Sequence, residues 1–197
     1  FYYNRENTIN FVQGLFNGIL LIMVIYNLFL FFMLKQKEYL FHNLYILNIG
    51  IYLLTLIQFI RNNIFPENPE ISIYFGFSLH FAFVFYFMFV REFIDSKHKN
   101  VKLDLFLRRL IKINILITFI NIALFFINFF TFALVTIFFF IGNNLVLLVT
   151  VVKVARNSDK LTRIFALGAS FLIFGAFLSS FAILLGILQL YILYIFQ

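Results

Sequence analysis

Cysteine is absent from the 197 residues. No disulfide framework, thiolate metal site or cysteine nucleophile can be built, and the redox compartment stays unassigned. Charge is also scarce. Only 12% of residues are Asp, Glu, Lys or Arg, and 63% are hydrophobic, with a mean hydropathy of +1.01. A soluble domain would be about a quarter charged. Folding this chain in water would leave large apolar patches exposed, so the expected solvent is a bilayer. The two prolines both fall within one short stretch, RNNIFPENPEIS. Phe, Ile, Asn and Lys make up a large share of the chain, and all four have A/T-rich codons. The 33 phenylalanines are therefore read as a genomic bias ahead of any special aromatic site. The net charge of +7 would suggest nucleic acid in a soluble protein. Here the basic residues cluster between apolar runs, which points to the positive-inside rule instead.

A spanning helix needs about 20 apolar residues. Phe11 to Leu34, Leu40 to Ile60 and Ile73 to Val90 supply the first three spans. Ile113 to Val152 carries no charge and as one helix would reach about 60 Å, twice the hydrocarbon thickness. A turn is expected near Asn128 to Thr131. It separates a fourth span, beginning around Leu105, from a fifth, Phe132 to Val152. Ile164 to Gln197 is likewise uncharged and gives a sixth span, Ile164 to Gly186, and the start of a seventh. The runs are too long and too uniformly apolar for barrel strands. The expected fold is all-α: a polytopic transmembrane bundle over residues 11–197, truncated in its seventh helix, after an extracytoplasmic lead-in over residues 1–10.

Of the 15 Lys and Arg residues, all but Arg5 and Arg61 lie on the side of the loops that follow spans one, three and five. That asymmetry puts the N-terminus outside and these loops in the cytoplasm. Lys97, Lys99 and Lys102 there are expected to attract anionic lipid. Arg108, Arg109 and Lys112 are expected to anchor the fourth span at the headgroups.

The centres of the complete spans hold no Asp, Glu, Lys or Arg, which counts against an ion-coupled transporter. His42, His80 and His98 are scattered and lack carboxylates at metal-ligand spacing. No metal, cofactor or catalytic constellation is expected. Glu92, Asp95, His98 and Asp104 are the one acidic cluster near a membrane face; they sit among lysines and are read as a solvated loop. His80 is read as an interhelical hydrogen bond ahead of a ligand or pH-sensing role. Asn27, Asn48, Gln58, Asn114, Asn121, Asn143 and Asn144 should face other helices, because an unpaired amide in hydrocarbon is costly. The adjacent Asn143 and Asn144 point about 100° apart and could bridge two neighbours. Gly168, Gly175, Ser179, Ala182 and Gly186 share one face of the sixth span. This seam is read as packing inside the bundle ahead of a homodimer interface. Gly14 and Gly18 make a GxxxG near the start of the first span.

The order of these features resembles the membrane region of bacterial seven-transmembrane receptors with diverse intracellular signalling modules. Gly14, Gly18, Tyr26, Asn27, Lys37 and Tyr39 follow the family's first-helix order. IFPENPEI resembles its proline-containing outer loop. FVREFID resembles the end of its third helix, with Phe89, Arg91, Phe93 and Asp95 matching and Ile94 in place of leucine. YILYIFQ looks like its entry into the seventh helix. The resemblance implies a multi-pass protein of the bacterial inner membrane. It also implies a covalently attached extracytoplasmic sensor domain and a cytoplasmic signalling domain, both outside this chain. The expected function is then to relay an external ligand signal by helix rearrangement, without catalysis. A small-solute transporter or channel is the alternative.

Overall fold

The computed structural model describes the backbone of residues 2–56 and 60–156. The predicted sixth and seventh spans, with Gly168, Gly175, Ser179 and Gly186, lie outside the described residues, as does Gln58. Among the described residues every regular element is helical. In chain order these are α1 (Tyr2–Leu34), α2 (Lys37–Leu56), a π-helical turn (Ile60–Ile64), α3 (Ile71–Tyr74), a 3-10 turn (Phe75–Phe77), α4 (Ser78–Phe93), α5 (Ser96–Lys99), α6 (Val101–Ile127) and α7 (Phe129–Arg156). Among the described residues four stretches are long and apolar enough to cross a membrane: Asn17–Leu34, Ile71–Phe93, Val101–Ile127 and Thr131–Arg156. α2 covers most of the predicted second span.

The breaks have identifiable causes. α1 ends where Lys35 turns left-handed, at φ 56°, and its N–H still bonds the Phe31 carbonyl at 2.8 Å. This is the single-bond left-handed cap that satisfies a terminal carbonyl. Both prolines fall in the non-helical stretch between the π-helical turn and α3, because proline has no N–H to give a helix and restrains the residue before it. Phe65 and Phe75 stack across this stretch with ring centroids 5.9 Å apart.

The chain divides into two compact units, up to Thr118 and from Phe119. In the first, α2 packs against both α1 and α4. α4 is the most deeply enclosed helix; Ala82, Phe83, Val84, Tyr86, Phe87, Phe89 and Val90 are all buried. α1 buries little, and Leu21, Ile22, Ile25, Phe29 and Phe32 are exposed. That surface suits acyl chains as solvent. In the second unit the helical ladder breaks at the single residue Asn128, within the expected turn. Its side-chain oxygen accepts the Thr131 N–H at 3.0 Å, as an N-cap does. Phe125 and Phe132 meet edge to face across the break, 5.2 Å between centroids.

Candidate functional site

Asn27, His42, Arg91 and Asp104 make polar contacts between helices of the first unit, on the helices' Lys35 and Lys37 side. The site has two pieces.

The first piece joins three helices. Asn27 of α1 is 7% exposed. Its amide N–H2 donates to the Met23 carbonyl at 2.8 Å. Its side-chain oxygen then faces His42 of α2, whose Nδ1 stands 3.3 Å away. That oxygen can only accept, so the imidazole carries its hydrogen on Nδ1 in this arrangement. The other side of the His42 ring lies against Phe89 of α4, centroid to centroid 4.8 Å. Tyr45 and Tyr86 continue the α2–α4 contact as an edge-to-face pair at 5.3 Å, a geometry that the ring quadrupoles favour. Tyr26, next to Asn27 in sequence, is 60% exposed. Adjacent helical residues point about 100° apart, so the Tyr-Asn pair splits between the outer surface and the interior.

Two residues beyond Phe89 on the same helix, Arg91 begins the second piece. Its Nε donates to Asp104 Oδ1 at 2.7 Å. The other oxygen of Asp104 receives Arg108 Nε, also at 2.7 Å. Arg91 additionally reaches Glu92 Oε1 at 3.4 Å. The Ser96 hydroxyl, fully buried, stands 3.2 Å from the Arg91 carbonyl and 3.3 Å from Asp104 Oδ1, and donates to one of them at a time. Asp104 is 5% exposed. The reading of this segment as a solvated loop is therefore revised. Glu92 and Asp104 stand on α4 and α6, and Asp104 is one of the most enclosed polar residues of the unit.

The local sequence explains how these groups meet. α4 stops because Asp95 adopts a left-handed conformation, φ 51° and ψ 44°, which Asp tolerates better than most residues. One turn of helix follows. Asn100 then leaves the helical region and caps α6, its side-chain oxygen accepting the Leu103 N–H at 3.1 Å. This sharp connection returns Asp104 to Arg91. His98 Nδ1 closes on Asp95 Oδ1 at 2.6 Å on the exposed side of the turn. Glu38, in the first turn of α2 before the predicted second span, has its carboxyl pKa raised. Burial is the larger cause; the nearby carboxylates Glu92 and Asp95 add to it.

The other predicted site residues stand apart. Gly14 and Gly18 are exposed, and a methyl group added at either would meet nothing within 4 Å. His80 is enclosed on α4, 6.0 Å from the Phe77 ring. Asn143 and Asn144 are buried on α7, and their amides donate to the carbonyls of Phe139 and Phe140 on their own helix, at 3.0 and 2.9 Å. Asn48, Asn114, Thr118 and Thr150 bond back in the same way. In a medium without water, a carbonyl four residues earlier is the nearest acceptor for a short polar side chain. Asp104, Ser96 and Arg108 belong to the site but were not expected there. The one sequence signal for them is the i,i+4 spacing of Asp104 and Arg108.

These observations define an all-helical, multi-pass membrane domain with polar contacts between helices at its Arg91–Asp104 and Asn27–His42 pairs. The chain belongs to the family described as 7TM diverse intracellular signalling, whose model matches residues 9–197. That family suggests a membrane sensor-receptor domain. No curated protein and no solved structure matches the chain.

Proposed function

We propose that this chain is the signal-relaying membrane domain of a bacterial inner-membrane receptor. It has seven helices with the N-terminus outside, joined to an outer sensor and a cytoplasmic output domain. A signal outside shifts the packing of the helices between two arrangements. The basic end passes that shift to the output, and the chain performs no catalysis itself.

Family membership supports the class, and one structural observation supports the relay. Asn27, His42 and Phe89 link α1, α2 and α4, and Arg91, two residues further along α4 and on its other side, links that helix to Asp104 of α6, so α4 itself joins the two contacts. Polar contacts of this kind have discrete alternatives, because a displaced carboxylate or amide must find another partner in a dry environment. A rearrangement begun at α1 therefore has a stepwise route to the turn around Asp95.

The absence of cysteine makes the test clean. Spin labels at Lys37→Cys and Lys97→Cys, both exposed positions, report the distance between the starts of α2 and α5 in lipid nanodiscs. Two distance populations are expected, with their ratio changed several-fold by Arg91→Gln. A single population, the same in both proteins, would rule out the relay at this end. Saturable solute flux in reconstituted vesicles would favour a transporter instead.

A further inference from the structure

α6 is divided lengthwise. Leu103, Asp104, Leu107, Ile111 and Asn114 are buried, and at 100° per residue they occupy a sector about 100° wide. Lys102, Leu105, Arg109, Lys112, Ile113 and Leu116 occupy the opposite sector, and all six are exposed. The Asp104 carboxylate turns inward to Arg91 and Arg108. Lys102, Arg109 and Lys112 make no ion pair among the described residues. The outward face thus presents three uncompensated cations followed directly by an apolar strip.

We infer that this face of α6 is a binding site for an anionic phospholipid, with the headgroup phosphate held by Arg109 and Lys112, Lys102 adding its charge further toward the water, and an acyl chain lying along Ile113 and Leu116. Arg109 and Lys112 are neighbours at i,i+3 on this face. Side chains on a helix tilt toward its N-terminus, so their long stems carry both charges toward the headgroup end of α6, where Lys102 also lies. α6 is 27 residues long, about 40 Å against a hydrocarbon core of about 30 Å. Its first turns therefore stand among the headgroups. A soluble anion would use the three charges and leave Ile113 and Leu116 unexplained. A zwitterionic lipid would use the apolar strip and leave the charge uncompensated. An anionic lipid satisfies both, and electrostatic attraction at a membrane surface grows with each basic residue. This inference needs α6 to lie in a membrane and is independent of the relay.

The chain contains no tryptophan, so Leu116→Trp supplies a single indole next to the site. The 197-residue protein is reconstituted in phosphatidylcholine vesicles containing a minority of phosphatidylglycerol, with one lipid or the other brominated to quench the indole. Phosphatidylglycerol is expected to be enriched at this indole about threefold or more over the bulk membrane. Ile22→Trp, on the exposed surface of α1, should show no enrichment. Changing Lys102, Arg109 and Lys112 together to Gln should abolish the excess at Leu116→Trp while leaving the helical circular dichroism unchanged. Arg109→Gln alone should reduce it in part, which keeps the test decisive if the triple variant does not fold. Equal quenching by the two lipids, or an excess that survives the substitutions, would overturn the site. Loss of the excess on adding inorganic phosphate would reassign the cations to a soluble anion and overturn the lipid assignment.

Discussion

Arg91 Nε stands 2.7 Å from Asp104 Oδ1, and the two residues are joined by a turn that pivots on the left-handed Asp95. Arg108 holds the other oxygen of the same carboxylate. The partners are not equivalent: the Arg91 side chain is much the less exposed of the two guanidinium groups. Removing it strips the buried carboxylate of its enclosed partner. A broken buried pair costs about 3–5 kcal/mol, whereas an apolar replacement of both partners can be nearly neutral. Arg91→Ala should therefore lower the melting temperature in detergent markedly. Arg91→Met combined with Asp104→Leu should recover more than half of that loss. Equal loss in the single and double variants would show that packing, not the ion pair, holds the turn.

The Asn27–His42 contact makes a smaller but sharper prediction. Hydrogen bonds between membrane helices average about 0.6 kcal/mol in double-mutant cycles. A cycle of Asn27→Leu and His42→Ala, read from unfolding free energies, should give a coupling of about that size. Tyr26→Phe should leave stability within about 0.5 kcal/mol of the parent, because its side chain is exposed. No coupling in the Asn27–His42 cycle would mean that the 3.3 Å separation carries no interaction.

The difference between Tyr26 and Asn27 also marks how far the sequence could be read. Hydropathy located the four apolar stretches of the described residues, because the bilayer sets their length and the helix sets their rise. The break at Asn128 was legible because an uncharged run of that length cannot remain one helix within a membrane. Which face each residue presents was less legible. Apolar residues occur on every side of α1 and α6, so periodicity alone does not separate the lipid face from the protein face. Asp104 was read as solvated because it lies near lysines in sequence. Its burial depends on Arg91, thirteen residues earlier, and on a left-handed turn that composition does not announce.

That turn can be tested alone. Asp95 has φ 51°, a conformation that costs an ordinary L-residue about 1–2 kcal/mol and glycine almost nothing. Asp95→Gly should leave the turn intact, with loss limited to the exposed His98 contact. Asp95→Val should destabilise the protein by more than about 1 kcal/mol, because a β-branched residue resists this region. Melting curves of the two variants should separate clearly. Coincident curves would mean that the turn does not depend on the left-handed residue.

Glu38 gives the pH dependence of the same end. Burial first, then repulsion from Glu92 and Asp95, raises its carboxyl pKa above the ordinary value. The folded protein therefore binds this proton more tightly than the unfolded chain does. Stability from this group falls as pH rises from the ordinary carboxylate value through the raised one, and the full penalty remains at neutral pH. Arg91 is engaged by Glu92 and Asp104. Glu38→Gln removes the ionisation without changing the shape of the side chain. It should raise the melting temperature at pH 7 by about 2 °C, a small effect because the carboxyl is only partly buried. The advantage should shrink on acidification and vanish once the wild-type carboxyl is protonated in both states. An advantage that grew toward acid pH would mean that Glu38 is held by a cation, contrary to the repulsion assigned here.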